Sequence, residues 1–217
     1  MHVIGLTGSI GSGKSHVSSV LASLGAYIVD GDQISHELTA PHGKALPAIR
    51  QVFGEDVFFP DGTLNRKALG NLVFASDHAR LQLNSLIQPM ILKEIQNEMS
   101  LAEAEGRKVC VLDMPLLFEE HLDRLCDRVW CVYLPENLQI QRIMERDRCT
   151  QSEAISRIRS QMDATEKAAR ADVVIDTSGS FEETNHQVSG HYQYELALSV
   201  RKGDAEHAGT SCPAPSL

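Results

Sequence analysis

The sequence predicts an α/β fold, with a central five-stranded parallel sheet between helical layers, on three observations. Five short apolar runs recur along the chain, helical patterns separate them, and four of the five end on an acid or in a glycine-rich loop. Apolar runs without polar alternation suit strands buried on both faces, and their alternation with helices suits a parallel sheet covered on each side. In such sheets ligands sit beyond the carboxyl ends of the strands.

The first run, His2 to Thr7, leads into the glycine loop, and Val17 to Leu24 carries the apolar spacing of a helix. The second run, Ala26 to Asp30, ends on an acid, as do the third, Lys108 to Asp113, and the fifth, Ala171 to Asp176; the fourth is Arg128 to Leu134. Between the second and third runs lies a long stretch without strand pattern. It reads as helices over 44–54, 65–75 and 78–106, with a Pro-Asp-Gly turn at Pro60 to Gly62 between the first two. Pro89 is expected to kink or restart the third of these helices, because its ring removes a backbone donor. After the fourth run the chain is helical and strongly charged, with Arg142, Arg146 and Arg148 close together and Arg157 and Arg159 following. Thr150 and Glu153 have capping-box spacing, so one helix is expected to end near Cys149 and another to begin. A final helix is expected from Phe181 to Leu198.

Composition narrows the class. The chain has 217 residues, 42% hydrophobic and 23% charged, which suits a globular fold with a substantial core. No apolar run approaches the roughly 20 residues of a membrane span, and the N-terminus lacks the pattern of a secretory signal. The five cysteines, Cys110, Cys126, Cys131, Cys149 and Cys212, are odd in number and form no C-x-x-C pair, which argues against a disulfide framework or a zinc site. A cytoplasmic location is expected. A net charge of −9 argues against a broad nucleic-acid surface, and no membrane association or obligate protein partner is expected.

The glycine loop carries the chemistry. Gly8-x-x-x-x-Gly13-Lys14-Ser15 fits G-x-x-x-x-G-K-[ST] between a predicted strand and a predicted helix, the context that the phosphate-binding P-loop requires. Bare backbone lets successive N–H groups converge on phosphate oxygens, and the following helix adds its positive end. Gly8, Ser9, Ile10, Gly11, Ser12, Gly13, Lys14, Ser15 and His16 are therefore the candidate ATP-binding residues. Lys14 would reach the β- and γ-phosphates and the Ser15 hydroxyl would ligate Mg²⁺.

Two features favour phosphoryl transfer over a switch or a motor. Asp30 and Asp32 stand just past the second strand, where a carboxylate can orient an acceptor hydroxyl and take its proton; helix capping is the competing role for either. Arg142 and Arg146 lie on a segment placed to close over phosphates, where arginines stabilise the transferring group; a solvated helix face is the competing reading. No N-K-x-D motif of a GTPase is present.

The segments Gly5 to Ser15, Val29 to Leu38, Asp113 to Glu119 (D-M-P-L-L-F-E), Gln141 to Arg148, Gln161 and Ala171 to Gly179 resemble, in order and spacing, the signature segments of the dephospho-coenzyme A kinases. The resemblance covers roughly residues 1 to 180. It implies a three-layer P-loop kinase fold and ATP-dependent phosphorylation of the ribose 3′-hydroxyl of dephospho-CoA, the last step of CoA synthesis. On this reading residues 1–200 form one domain, with core 1–32, 106–136 and 165–200, a helical CoA-side insertion 33–105 and a lid 137–164; residues 201–217 are expected to be a mobile tail.

Carried over by position, Asp32 matches the proposed base and Asp113 the acid near the metal or acceptor ribose. Leu116, Leu117 and Phe118 match the acceptor wall, with core packing as their competing role, and Arg142 and Arg146 match the lid arginines. Substrate-binding residues are thus Asp30, Asp32, Asp113 and Leu116 to Phe118, and Asp32 or Asp113 would assist Ser15 at Mg²⁺, directly or through water. Gln88 and Thr177 depart from the family's usual histidine and asparagine. Another nucleoside or nucleotide kinase, and a regulatory NTP-binding module without a small acceptor, stay open as alternatives.

Overall fold

A computed structural model describes residues 1–208, with side chains described through Val200. The chain divides into two compact units: Met1–Val29 with the chain from Leu101 onward, and Asp30–Ser100.

The first unit holds the sheet. Its strands are β1 (His2–Gly8), β2 (Tyr27–Asp30, whose last residue begins the second unit), β3 (Val109–Asp113), β4 (Arg128–Tyr133) and β5 (Val173–Asp176), in the order β2-β3-β1-β4-β5. All five are parallel. β1 and β3 are buried along their whole length, as apolar runs in a covered parallel sheet should be. The edge strand β5 departs from that expectation. Val173 and Ile175 are buried while Val174 and Asp176 are exposed, because the last strand is covered on one face only.

Helix α1 (Lys14–Ser23) follows the glycine loop and packs against α9 (Phe181–Ala208) and the sheet. Ile4, Leu6, Val17, Leu21, Val111, Trp130, Val132, Ile175 and Tyr192 form the core between them. A charged group enters this layer. Glu195 of α9 is fully buried and accepts hydrogen bonds from His2 Nε2 at 2.8 Å and Trp130 Nε1 at 3.0 Å. Burial pushes its carboxyl up, and these two bonds with Arg128 outweigh it, leaving the group below the usual carboxylate range. α9 runs on to Ala208, into the stretch expected to be a tail; residues 209–217 of that expectation, Cys212 among them, lie outside the described residues.

Between β4 and β5 stand α6 (Glu136–Asp147), α7 (Gln151–Arg159) and α8 (Ala164–Arg170). α6 ends at Arg148 in a left-handed conformation, and Thr150 caps α7 in a full capping box with Glu153.

The second unit is helical: α2 (Gly31–Leu38), α3 (Leu46–Phe53), α4 (Arg66–Ala75) and the long α5 (Asp77–Ala104), whose last turn lies in the first unit. α5 does not restart at Pro89, the second of the two outcomes expected there, but runs through it as one helix. A proline deletes one link of the ladder, and 28 residues of helix supply enough others to carry the element past it. Among the described residues no helix is long and apolar enough to cross a membrane.

Candidate active site

The strand order puts the site at one place. The chain leaves β1 toward β2 and leaves β3 toward β4, in opposite directions, so a crevice opens between the carboxyl ends of the neighbours β1 and β3. β1 ends at Gly8 and β3 at Asp113, with Leu6 in register with Asp113. Across this crevice Lys14 Nζ donates to Asp113 Oδ1, and Asp113 is buried.

The loop from Gly8 to Gly13 has the backbone that its glycines allow. Gly11 and Gly13 adopt φ of 79° and 87°, the left-handed region that side chains resist. A Cβ on Gly8 would fall 2.8 Å from the Val132 carbonyl and from Ser12 Oγ. The His16 amide donates to the Gly13 carbonyl at 3.0 Å, and the Lys14 and Ser15 amides before it stand at the positive end of the α1 dipole. Ser9 Oγ and Ser12 Oγ are buried without a partner among the described residues. Buried hydroxyls rarely stay unpaired, so their donors suit an anionic ligand in the loop.

Two side chains hold the loop from outside. Gln161, just after α7, accepts the Ile10 N–H at 2.9 Å. Thr177, just after β5, donates from Oγ1 to the Ser12 carbonyl at 2.6 Å, with the Tyr133 carbonyl at 3.2 Å as a second acceptor. Arg142 reaches the same place, its guanidinium donating to the Thr177 carbonyl at 2.7 Å. Beside them lies a cleft of about 330 Å³ lined by Gly13, His16, Arg142, Thr177, Ser180 and Phe181 among others. His16 is fixed there by Asn185 Oδ1 at 2.8 Å, with its ring 4.7 Å from that of Phe181.

The other candidates have varied surroundings. Arg146 is exposed and paired with Asp147 at 2.7 Å; that bond holds its guanidinium above its ordinary range. Asp147 also accepts from Arg157. Of the segment after β3, Leu117 and Phe118 are buried, and Leu117 lies so close under Gly5 that a Cβ there would stand 2.7 Å away. Leu116 is exposed.

Asp30 and Asp32 belong to the second unit. Asp30 is the N-cap of α2, its carboxylate accepting the Gln33 N–H at 2.9 Å. Asp32 lies in the first turn of the same helix, two residues beyond β2.

The sequence reading assigned no role to Glu119 and Lys167. Lys167 is fully buried and donates to the Pro115 carbonyl at 2.5 Å and to Glu119 Oε1 at 2.9 Å. The Pro115 carbonyl also accepts from Thr7 of β1 at 3.0 Å. Burial pushes the Glu119 carboxyl up, but Lys167 and the Met162 amide outweigh it, so it lies below the usual range. Its neighbour Glu120 is shifted up by burial and by the Glu119 charge. A lone lysine in a charged helix gives no sequence signal of burial. Cys126 and Cys131 are inert thiols, burial pushing them up to about 12 and about 11.

Comparison with known proteins agrees with this geometry. A family model described as dephospho-CoA kinase matches residues 2–183. A dephospho-CoA kinase of Carboxydothermus hydrogenoformans is 43% identical over 186 residues, covering 86% of this chain and 90% of the relative. Among solved structures, the Thermus thermophilus protein TT1252 superposes with a TM-score of 0.79 at 30% identity, covering 90% of this chain and 97% of that one. A dephospho-CoA kinase of Campylobacter jejuni gives 0.62 at 26% identity, covering 89% and 97%.

Proposed function

The chain belongs to the dephospho-CoA kinase family, and from that premise we propose that it transfers the γ-phosphoryl group of ATP to the ribose 3′-hydroxyl of dephospho-CoA, yielding CoA and ADP. The observation that carries this reading is the glycine loop at the β1–β3 crevice, with its lysine paired to the acid that ends β3. Loop amides and Lys14 hold and neutralise the phosphates. The donor base takes the cleft beside His16 and Phe181.

Mg²⁺ suits the donor set. The Ser15 hydroxyl and the Asp113 carboxylate are hard oxygen ligands at the loop, and Mg²⁺ in such sites takes one or two carboxylates plus substrate phosphates. When bound it neutralises charge developing on the phosphoryl oxygens. Asp32, beyond the carboxyl end of β2, orients the acceptor hydroxyl and accepts its proton. Arg142 and Arg146 stabilise the transferring group. For Arg146, itself exposed, this means exchanging Asp147 for a phosphate, an exchange that opposes binding little.

The test is ADP release with Mg·ATP and dephospho-CoA, adenosine, AMP, CMP or no acceptor, with the product mass read in parallel. Turnover only with dephospho-CoA, giving a product heavier by one phosphoryl group, is the expected result. Turnover with another acceptor would reassign the substrate, and acceptor-independent hydrolysis alone would reduce the chain to an NTP-binding module.

A further inference from the structure

The phosphate loop holds its shape only in part by itself. Its internal hydrogen bond runs from the Ser12 amide to the Ser9 carbonyl at 3.1 Å. The Ile10 amide points away from that turn and is met by Gln161 Oε1 at 2.9 Å. No motif rule places a glutamine there, because 151 residues of chain separate the partners.

The short link that carries Gln161 is tied at every step. The Gln161 amide donates to the Ile158 carbonyl at 3.2 Å, continuing the end of α7. The Met162 amide donates to Glu119 Oε1 at 3.0 Å. Asp163 then caps α8 by accepting from the Thr165 and Glu166 amides at 2.8 and 3.2 Å. Glu119 is in turn held by buried Lys167, whose second acceptor, the Pro115 carbonyl, also takes Thr7 of β1. The segment after β3, the link before α8 and the phosphate loop are thus joined in one hydrogen-bonded chain, all within the first compact unit.

We propose that Gln161 is a positioning residue for the phosphate loop: held through Met162 by the Glu119–Lys167 pair, it keeps the Ile10 peptide in the orientation that aims the following amides at the triphosphate. The inference rests on the ATP-dependent reading above. Its logic is preorganisation. A loop with two left-handed glycines has many unbound conformations, and ordering them on binding would cost affinity. An acceptor fixed from outside removes part of that cost before ATP arrives. The Ile10 N–H is taken by Gln161, while the Lys14 and Ser15 amides that open α1 are left for the ligand.

The variant that isolates the acceptor is Gln161→Met, which keeps side-chain length and removes the oxygen at a half-buried position. Amide hydrogen exchange at Ile10, in the full chain without nucleotide, should speed up about tenfold. ATP affinity by calorimetry and KM for ATP should weaken roughly three- to tenfold. KM for dephospho-CoA should not move, and the melting temperature should fall by no more than a few degrees, roughly what one lost hydrogen bond costs. Gln161→Glu supplies the rescue: its carboxylate still accepts the Ile10 N–H and restores slow exchange, although its charge opposes the triphosphate.

Unchanged exchange at Ile10 in Gln161→Met would overturn the proposal. So would fast exchange with undiminished ATP affinity, which would make the bond purely structural. A wild-type chain that binds ATP yet phosphorylates no acceptor would sink the proposed function, and the calorimetric arm would still decide the role of Gln161.

Discussion

The phosphate loop and the helices α6 and α7 lie in one compact unit, yet their charges are held on opposite terms. Around the loop each ion pair has one buried member, Asp113 beside half-buried Lys14 and Lys167 beside half-buried Glu119. On α6 and α7 the arginines are exposed and share one half-buried acid, Asp147 taking both Arg146 and Arg157. Water and salt compete with an exposed pair, so it holds little free energy. A buried charge that loses its partner is stranded at a cost of several kcal/mol. The region that cradles phosphates is therefore built to stay in place, and the helical arginines are free to change partner when a ligand offers a better one.

The largest effect is expected outside both regions. With Asp32 as the proposed base, Asp32→Asn should lower kcat by ~10²–10⁴-fold while leaving ATP binding intact. Near-normal turnover would return the proton to one of the two regions and break the division of labour. Next comes Glu119→Gln, which leaves the Lys167 ammonium buried without its counter-charge. A loss of about 3–5 kcal/mol is expected, seen as a melting temperature lower by roughly 10 °C. Adding Lys167→Met should recover much of that loss, since the double variant buries no charge. Equal melting of Glu119→Gln and wild type would show the pair to be as slack as those on α6. For Arg146→Ala the contrast predicts the reverse pattern: melting unchanged, and kcat down about tenfold or more with KM for ATP held. Unchanged kcat would make Arg146 part of a solvated helix face.

The same contrast explains what the sequence made legible. Five parallel strands, the glycine loop and the α7 capping box follow from local patterns, whose physics acts over a few residues. The role of Asp30 as a cap was one of two readings, and its bond to Gln33 shows that it does cap α2. For Leu117 and Phe118 both readings were open, and both side chains are buried. The ties on the loop were out of reach. Gln161 meets Ile10, Thr177 meets Ser12 and Lys167 meets Glu119 only because distant segments are brought together by the sheet. Thr177 could be flagged only as a departure from a family pattern; its bond to the loop required the fold.

The smallest expected effect is the response of stability to acid, and it sharpens the comparison because carboxylates are lowered in both regions. Glu119 lies below its ordinary pKa despite burial, which opposes ionisation, because Lys167 and the Met162 amide favour the charged form more strongly. Glu153 on α7 is lowered by its capping bonds to Thr150 but is fully exposed. A carboxyl depressed in the folded state binds its proton more readily when unfolded. Its stabilisation is therefore present above the unfolded pKa, about 4.3 for glutamate, and is lost as pH falls through the lower folded value. For Glu119 protonation also strands Lys167, whereas for Glu153 water replaces the lost bonds. Melting temperature measured from pH 7 to pH 3 should thus fall less steeply in the Glu119→Gln/Lys167→Met double variant than in wild type, and Glu153→Gln should keep the wild-type slope. If Glu153→Gln flattened the curve and the double variant did not, the acid-sensitive charges would lie on the exposed helices, and the loop would have to be held by something other than its buried pairs.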